Sequence, residues 1–476
     1  MTRRARLDAI ALPDFGTPAD APFDAGTDEL LLPASIYHAR LERLNARAAD
    51  LGCDVLVVYG DREHFANLAY LCGYDPRFEE SVLLIDVRGR KAPHILVGNE
   101  GTSYIRISPI LADMTVERYQ PLSLLGQPRD STRAFTTICA DYGIGSGTRV
   151  GTIGWKYYSA IEGESADTAI ELPSFMVDAL RNLTGDRALV RNVTALLMRA
   201  RDGLRAVNEV EQLARYEYAA CFSSDAVRAV IAGAQPGMTE YEALAHMNPR
   251  GIPLNAHMML SSGLRTRYGM ASPSGKRLVR GEPIVVAVGL WGTLTCRAGF
   301  LVESADELPE SIRDYLDKLA IPYFEAIAAW YETIGIGVAG GDLHRVIHDR
   351  IGDPFFGVFL NPGHLIGQDE WIDAPIYAGS DVPLRSGMAL QVDVIPGTGT
   401  DYFSSNIEDG IALADEPLRE AFASRYPEAW GRIMARRAFM GEVLGIQLKP
   451  EVLPFSNLAA VLPPFWLAQG QALRMG

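Results

Sequence analysis

The chain has 476 residues, 48% of them hydrophobic and 22% charged, with a formal net charge of −15. That length buries a large core and divides into two domains. The acidic balance argues against nucleic acid and anionic membrane surfaces as partners and favours solubility.

Residues 1–30 are rich in Pro, Asp and Gly and read as an N-terminal arm. Met1 to Arg6 is basic, but Asp14, Asp20 and Asp24 follow in place of an apolar run, so no secretory signal is expected and the expected compartment is the cytoplasm. Tyr37, Leu41, Leu44, Ala48 and Leu51 recur at steps of four and three and form one apolar helix face, with Ser35 placed to cap its start and Gly52 to close its end. Asp54 to Tyr59, DVLVVY, reads as a buried strand, and Ser81–Asp86 and His94–Val97 as two more. Helix–strand alternation over 31–185 predicts a small α/β domain.

A helix is expected over Ala188–Arg201. Asn208 with Glu211, and Thr239 with Glu242, have the capping-box spacing and open two further helices, the second after a Pro236-Gly237 turn. Ile284–Gly289 and Ala389–Ile395 read as strands, separated by helical segments near 308–334 and 341–351. Strands and helices segregated in this way predict an α+β domain over 186–440. Residues 416–445 read as helical, and 441–476, with Pro450, Pro454, Pro463 and Pro464, as an irregular tail whose apolar stretch Leu458–Leu467 is too short to span a bilayer. Cys53, Cys72, Cys139, Cys221 and Cys296 are scattered and odd in number, which predicts reduced, buried thiols rather than a disulfide framework or a zinc knuckle.

Five segments then carry a resemblance. They are YHARLERLNARAADLGCDVLVVYGDREHFANLAYLCGY (37–74), PGMTEYEAL (236–244), RGEPIVVAVGLWGTLTCRAGFLVE (280–303), NPGHLIGQDEWIDAP (361–375), and SGMALQVDVIP with SNIEDGIAL (386–396 and 405–413). In this order and spacing the chain resembles the creatinase/aminopeptidase P family, peptidase M24, over nearly its whole length. The resemblance implies a pita-bread catalytic domain behind a creatinase-type N-terminal domain, and a homodimer in which GYDPRFEES (73–81) covers the partner's cleft. It implies five metal-binding positions: aspartate, aspartate, histidine, glutamate, glutamate. Here they fall on Ala287, Ala298, His364, Asp393 and Glu408. The family's proton-handling histidine falls on Trp371, and the acid/base histidine of creatinase on Met270, with Arg267 three residues away.

Two carboxylates and an imidazole cannot hold two divalent ions. Three charge solutions stay open: one divalent ion; a cationic substrate group such as an amidinium or ammonium; or a proton shared by the two carboxyls. His364 stands in PGHLIG between Gly363 and Gly367, where backbone can approach a ligand closely. Gln391 and Asp393 share one strand face, whereas Ala287 lies in a continuous apolar run. His344 and His348, i and i+4 on a helix without an H-E-x-x-H pattern, read as surface residues.

The expected function is therefore a metal-independent, creatinase-like hydrolase acting on a C–N bond of a small, cationic substrate. His364, Asp393 and Glu408 are its expected catalytic residues, and Arg77, Phe78, Trp371, Gln391 and Arg297 its expected substrate contacts. The alternatives are a catalytically inactive binding protein on the same fold, or a single-metal Xaa-Pro aminopeptidase-like enzyme with Mn, Fe or Zn at His364, Asp393 and Glu408.

Overall fold

The computed structural model describes residues 3–18, 32–162 and 165–476. They fall into two compact units. One spans 23–206, and the other is built from 207–476 together with the N-terminal segment.

That segment is not a free arm. Ala5–Ala9 forms β1, paired antiparallel with the last strand of the chain, Gln471–Met475. Parts of the expected 1–30 arm, residues 1–2 and 19–30, lie outside the described residues.

In the 23–206 unit, α1 (Ala34–Asp50) buries Tyr37, Leu41, Leu44 and Ala48, the apolar face read from the sequence. Its start is preceded by Pro33, with no side-chain cap, so Ser35 does not have the expected role. β2 (Val55–Gly60) follows, then α2 (Ala66–Cys72), β3 (Ser81–Asp86) and β4 (His94–Val97). After the single turn α3 (Gly101–Tyr104) come β5 (Thr115–Arg118), α4 (Phe135–Tyr142), β6 (Val150–Ile153) and α5 (Ser174–Thr184). The expected helix over Ala188–Arg201 is replaced by β7 (Val190–Asn192) and the single turn α6 (Ala195–Met198). Val190 is fully buried, and its strand adds to β6 in parallel. Tertiary pairing wins here over a weak local helix preference. The mixed sheet runs β5-β4-β3-β2-β6-β7. Val55, Val57, Val82, Leu84 and Leu96 on one face pack against Ile138 and Tyr142 of α4 and Met176 and Leu180 of α5.

The second unit opens with α7 (Val210–Gly233), whose first turn follows Glu209. Asn208 does not cap it. The Asn208 amide instead donates to the carbonyl of Gly387 at 3.0 Å. The other capping box is present, with Thr239 and Glu242 exchanging side chain-to-backbone bonds at the start of α8 (Glu240–Leu244). Three long strands come next: β8 (Leu254–Ser262), β9 (Pro283–Leu290) and β10 (Thr293–Phe300). Then come α9 (Ile321–Thr333), α10 (Gly340–Ile351), the short β11 (His364–Leu365), β12 (Ala389–Asp393) and β13 (Asn406–Leu413). The chain ends with α11 (Glu416–Arg425), α12 (Pro427–Glu442), β14 (Val452–Pro454) and β15 (Gln471–Met475).

The sheet of this unit is antiparallel throughout, in the order β11-β12-β13-β10-β9-β8, with β14 added to β13. It is an α+β unit, as the segregation of strands and helices predicts. The expected irregular tail is overturned. Phe465 and Trp466 are buried, Trp466 N donates to Phe300 O at 2.9 Å, and β15 closes on β1. The tail's prolines sit where they need not donate, and the apolar residues between them fill the core. All five cysteines are buried and free. Among the described residues no helix is long and apolar enough to cross a membrane.

Candidate active site

The register of the central strands places the candidate residues. Asp393 on β12 opposes Glu408 on β13, Glu408 opposes Cys296 on β10, Cys296 opposes Ala287 on β9, and Ala287 opposes Met259 on β8. Directly opposed residues share a sheet face, so these five side chains form one row. The row changes character along its length. At the β8–β10 end Ala287 and Cys296 are buried, with Met259 packed against them. Ala298, 4% exposed, opposes Val285 and Asn406. Both places where the resemblance puts an aspartate hold a buried alanine, Ala287 within the apolar core and Ala298 opposite the Asn406 amide. At the β12–β13 end the row is carboxylate.

His364 joins from β11, opposite Gln391. The approach depends on Gly363, which has φ +125, where a side chain would sit 2.8 Å from the Gln391 carbonyl and 3.3 Å from the Trp330 ring. The Trp330 indole N–H donates to Pro362 O at 2.8 Å and holds this segment in place. The His364 ring is oriented by its Nδ1, which lies 3.1 Å from Leu365 O. An Nδ1–H donating to that carbonyl leaves the Nε2 lone pair aimed at the cleft. Nε2 lies 3.8 Å from Asp393 Oδ2, and neither Nε2 nor Asp393 Oδ1 has a hydrogen-bond partner.

A fourth member was not picked out from the sequence. After β11 the chain loops and returns, with Leu365 N bonding Asp373 O at 2.9 Å and Ile372 N bonding Leu365 O at 3.3 Å. This loop swings Glu370 back over the row. Ligand atoms of His364, Glu370 and Glu408 all lie within 4.8 Å of one another. The sequence carries Glu370 in GQDEWIDAP beside Trp371, but nothing in that local pattern shows that the loop turns its carboxylate back onto the row.

Three carboxyls crowd one imidazole. Burial pushes the Glu408 carboxyl well above the usual range, Asp393, Glu370 and Asp409 add to the shift, and Arg297 opposes it. Burial likewise raises Asp393 against the pull of His364. It raises Glu370 too, against His364, with Asp393 adding, while His257 and a hydrogen bond from the Trp371 side chain lower it. Without a positive partner the three cannot all ionise.

The expected substrate contacts divide. Trp371, 56% exposed, stands at the mouth beside Glu370. Gln391 is fully buried on the face of Asp393, and its amide donates to Leu294 O. Arg297 requires correction: it is fully buried on the opposite face, because neighbours along a strand alternate. It bonds Asp409 Oδ2 at 2.7 Å and the carbonyls of Val461 and Leu458 at 2.6 Å each, clamping the C-terminal segment to the sheet. Its side chain is consumed there and offers nothing to a substrate. Arg77 and Phe78 belong to the 23–206 unit. Arg77, with φ +61, donates to the Tyr104 hydroxyl at 2.6 Å, and Phe78 is 69% exposed. Met270 is exposed and its carbonyl accepts a hydrogen bond from His257 Nε2 at 2.9 Å, while Arg267 stacks on Phe403. His344 and His348 stack on each other along α10 at 4.0 Å.

Comparison with solved structures decides the architecture. A prolidase from Pyrococcus horikoshii superposes over 79% of this chain and 95% of its own, with TM-score 0.59 and 16% identity. A prolidase from Thermococcus sibiricus covers 80% and 95% at TM-score 0.61 and 15% identity. Dipeptidase PepE from Mycobacterium ulcerans covers 82% and 95% at TM-score 0.57 and 18% identity. The chain has the pita-bread fold of the creatinase/aminopeptidase P family. In sequence, the uncharacterized peptidase YqhT of Bacillus subtilis is 24% identical over 230 residues, 45% of this chain. The match spans 62% of that relative's length. No protein-family model matches the chain.

The residues present do not fit a pair of ions, because the pita-bread row is apolar where the aspartates would stand. They fit one. An imidazole nitrogen and carboxylate oxygens are a donor set for a divalent first-row metal, and two of the buried donors otherwise lack a partner.

Proposed function

We propose that the chain is a hydrolase that cleaves a C–N bond of a small substrate in the cleft of its pita-bread unit. The observation that carries this reading is the convergence of His364, Glu370, Asp393 and Glu408 at one end of a sheet row whose other end is apolar. In hydrolysis the water oxygen bonds to carbon, the C–N bond breaks, and the leaving nitrogen takes a proton. Glu370, the most exposed of the carboxylates, is placed to accept a proton from the attacking water. His364 and Asp393, 3.8 Å apart, are placed to hold and return one to the leaving nitrogen. Glu408, deepest in the row and held toward its protonated form by burial, ionises only when a positive group enters the cleft. Such proton handling contributes about 10²–10⁴-fold.

The cluster calls for a positive partner. In the metal-independent form it is the substrate's own amidinium or ammonium. A single divalent ion held by His364, Glu370 and Glu408 is the second form, and the presence of Glu370 favours it. When bound, such an ion supplies Lewis-acid polarisation of the scissile group. The homodimer that the resemblance implies belongs to the proposal as well, and sedimentation of the purified chain tests it.

The test is turnover of a panel of amides, amidines and short peptides, with and without added Mn²⁺. Hydrolysis that falls by about 10²-fold or more in His364→Ala agrees with the roles assigned. Undiminished hydrolysis in that variant contradicts them, and inactivity across the panel in both conditions favours a binding protein.

A further inference from the structure

We propose that Glu370 rebuilds a cation site in this cleft: with His364 and Glu408 it seats one divalent first-row transition ion, using a ligand outside the family's five-position pattern. The inference rests on the cleft being the functional site, as proposed above, and adds the cofactor class and the residue that makes it possible.

Four observations support it. First, the geometry converges. Ligand atoms of the three residues lie within 4.8 Å of one another, and ligands on one such ion, each about 2.0–2.2 Å from it, lie up to about 4.4 Å apart. A rotation of the partly exposed Glu370 side chain closes the difference. Second, His364 is already oriented as a ligand, with Nδ1 on the Leu365 carbonyl and Nε2 free toward the cleft. Third, Nε2 of His364, 7% exposed, and Oδ1 of Asp393, 8% exposed, are buried polar atoms without a hydrogen-bond partner. Buried polar atoms left this way are costly unless something fills the space between them. Asp393 is thereby available as a fourth donor. Fourth, Ala287, Met259 and Cys296 pack together in the apolar core at the other end of the row, and Ala298 stands where a second aspartate would, so that end has no carboxylate for a second ion.

Glu370 reaches the cluster only because its loop folds back on β11 through the Leu365–Asp373 and Ile372–Leu365 bonds. Charge supports the assignment too. A divalent ion neutralises two of the three carboxylates, and no arginine or lysine among the described residues makes an ion pair with any of them.

Equilibrium dialysis of the whole chain against Mn²⁺, followed by elemental analysis, measures the site without any substrate. Co²⁺ substitution adds a visible absorption band as a second readout. The expected result is about one ion per chain, with affinity at least 10–100-fold weaker in Glu370→Gln and in His364→Ala, and melting temperatures of the cation-free variants near that of the wild type. Absence of Mn²⁺ and Co²⁺ binding overturns the inference, and so does wild-type affinity in Glu370→Gln. Either failure leaves the substrate-cation form of the hydrolase standing. An inactive substrate panel, conversely, bears on the hydrolase and not on this site. A Glu370→Asp variant that regains part of the affinity confirms that the carboxylate, rather than the loop's packing, holds the ion.

Discussion

Arg297 and Ala298 are neighbours in sequence and serve opposite faces of one sheet. Ala298 lies on the face of the row, one pair along from Cys296, where the resemblance puts a metal ligand. Arg297 is spent on Asp409 and on the carbonyls of the C-terminal segment. Both side chains of the pair are essentially without solvent exposure, so removing one partner strands a buried charge. Arg297→Leu is expected to cost about 3–5 kcal/mol in urea unfolding, and the double change Arg297→Leu with Asp409→Leu less than the single one. A single variant within 1 kcal/mol of wild type, as ~1 kcal/mol marks an ordinary substitution, contradicts this. The contrast with Glu370 shows what single residues reveal in sequence. That His364, Asp393 and Glu408 stand together follows from segments that keep a recognisable order. The place of Glu370 does not, because it depends on a loop reversal that brings a side chain back across space. The direction of Arg297 follows from strand alternation, but its partner Asp409 could be known only from the register of β10 with β13.

At the scale of elements, β-branched and apolar runs fixed β2, β3 and β4 to within a residue, because buried strands leave few alternatives. The two capping-box spacings show the limit of local pattern. Thr239 caps α8, and Thr239→Ala is expected to cost about 1 kcal/mol in thermal or urea unfolding. Asn208 has the same spacing, yet its amide is drawn to Gly387 O and the helix starts one residue later. Asn208→Ala therefore acts through the lost bond to Gly387 rather than through a frayed helix end. The segment after 188 went to strand because β6 offered a parallel edge.

At the end of β3, Asp86 accepts three bonds from Arg90, at 2.7, 3.1 and 2.9 Å. The Arg90 guanidinium holds the carboxyl below its usual value, with burial opposing. A depressed carboxylate contributes stability that is present above its unfolded pKa, about 3.9, and is lost as pH falls through the lower folded value. Because Arg90 is exposed, solvent screening keeps the effect modest. Asp86→Asn is expected to lower the melting temperature by about 2–4 °C at pH 7 and by progressively less as pH falls below about 3.9. A loss that stays equal as pH falls contradicts this origin.

Across the whole molecule, the α+β fold and the family likeness were legible because they rest on many segments at once. The ends of the chain were not. Proline spacing made 441–476 look irregular, whereas Phe465, Trp466 and Leu473 are core residues and β15 pairs with β1. That pairing depends on strands from opposite ends of the sequence, which no local window contains. A row that the family likeness assigns to two ions is half apolar and half carboxylate, and a loop adds one carboxylate back.

The proposed site requires that this cleft seat one cation and not two. Anomalous diffraction from crystals grown with Mn²⁺ tests it most directly. A single peak bounded by His364, Glu370 and Glu408 is expected, with none beside Ala287. Two peaks bridged by Asp393 and Glu408, or a peak away from His364, contradict it.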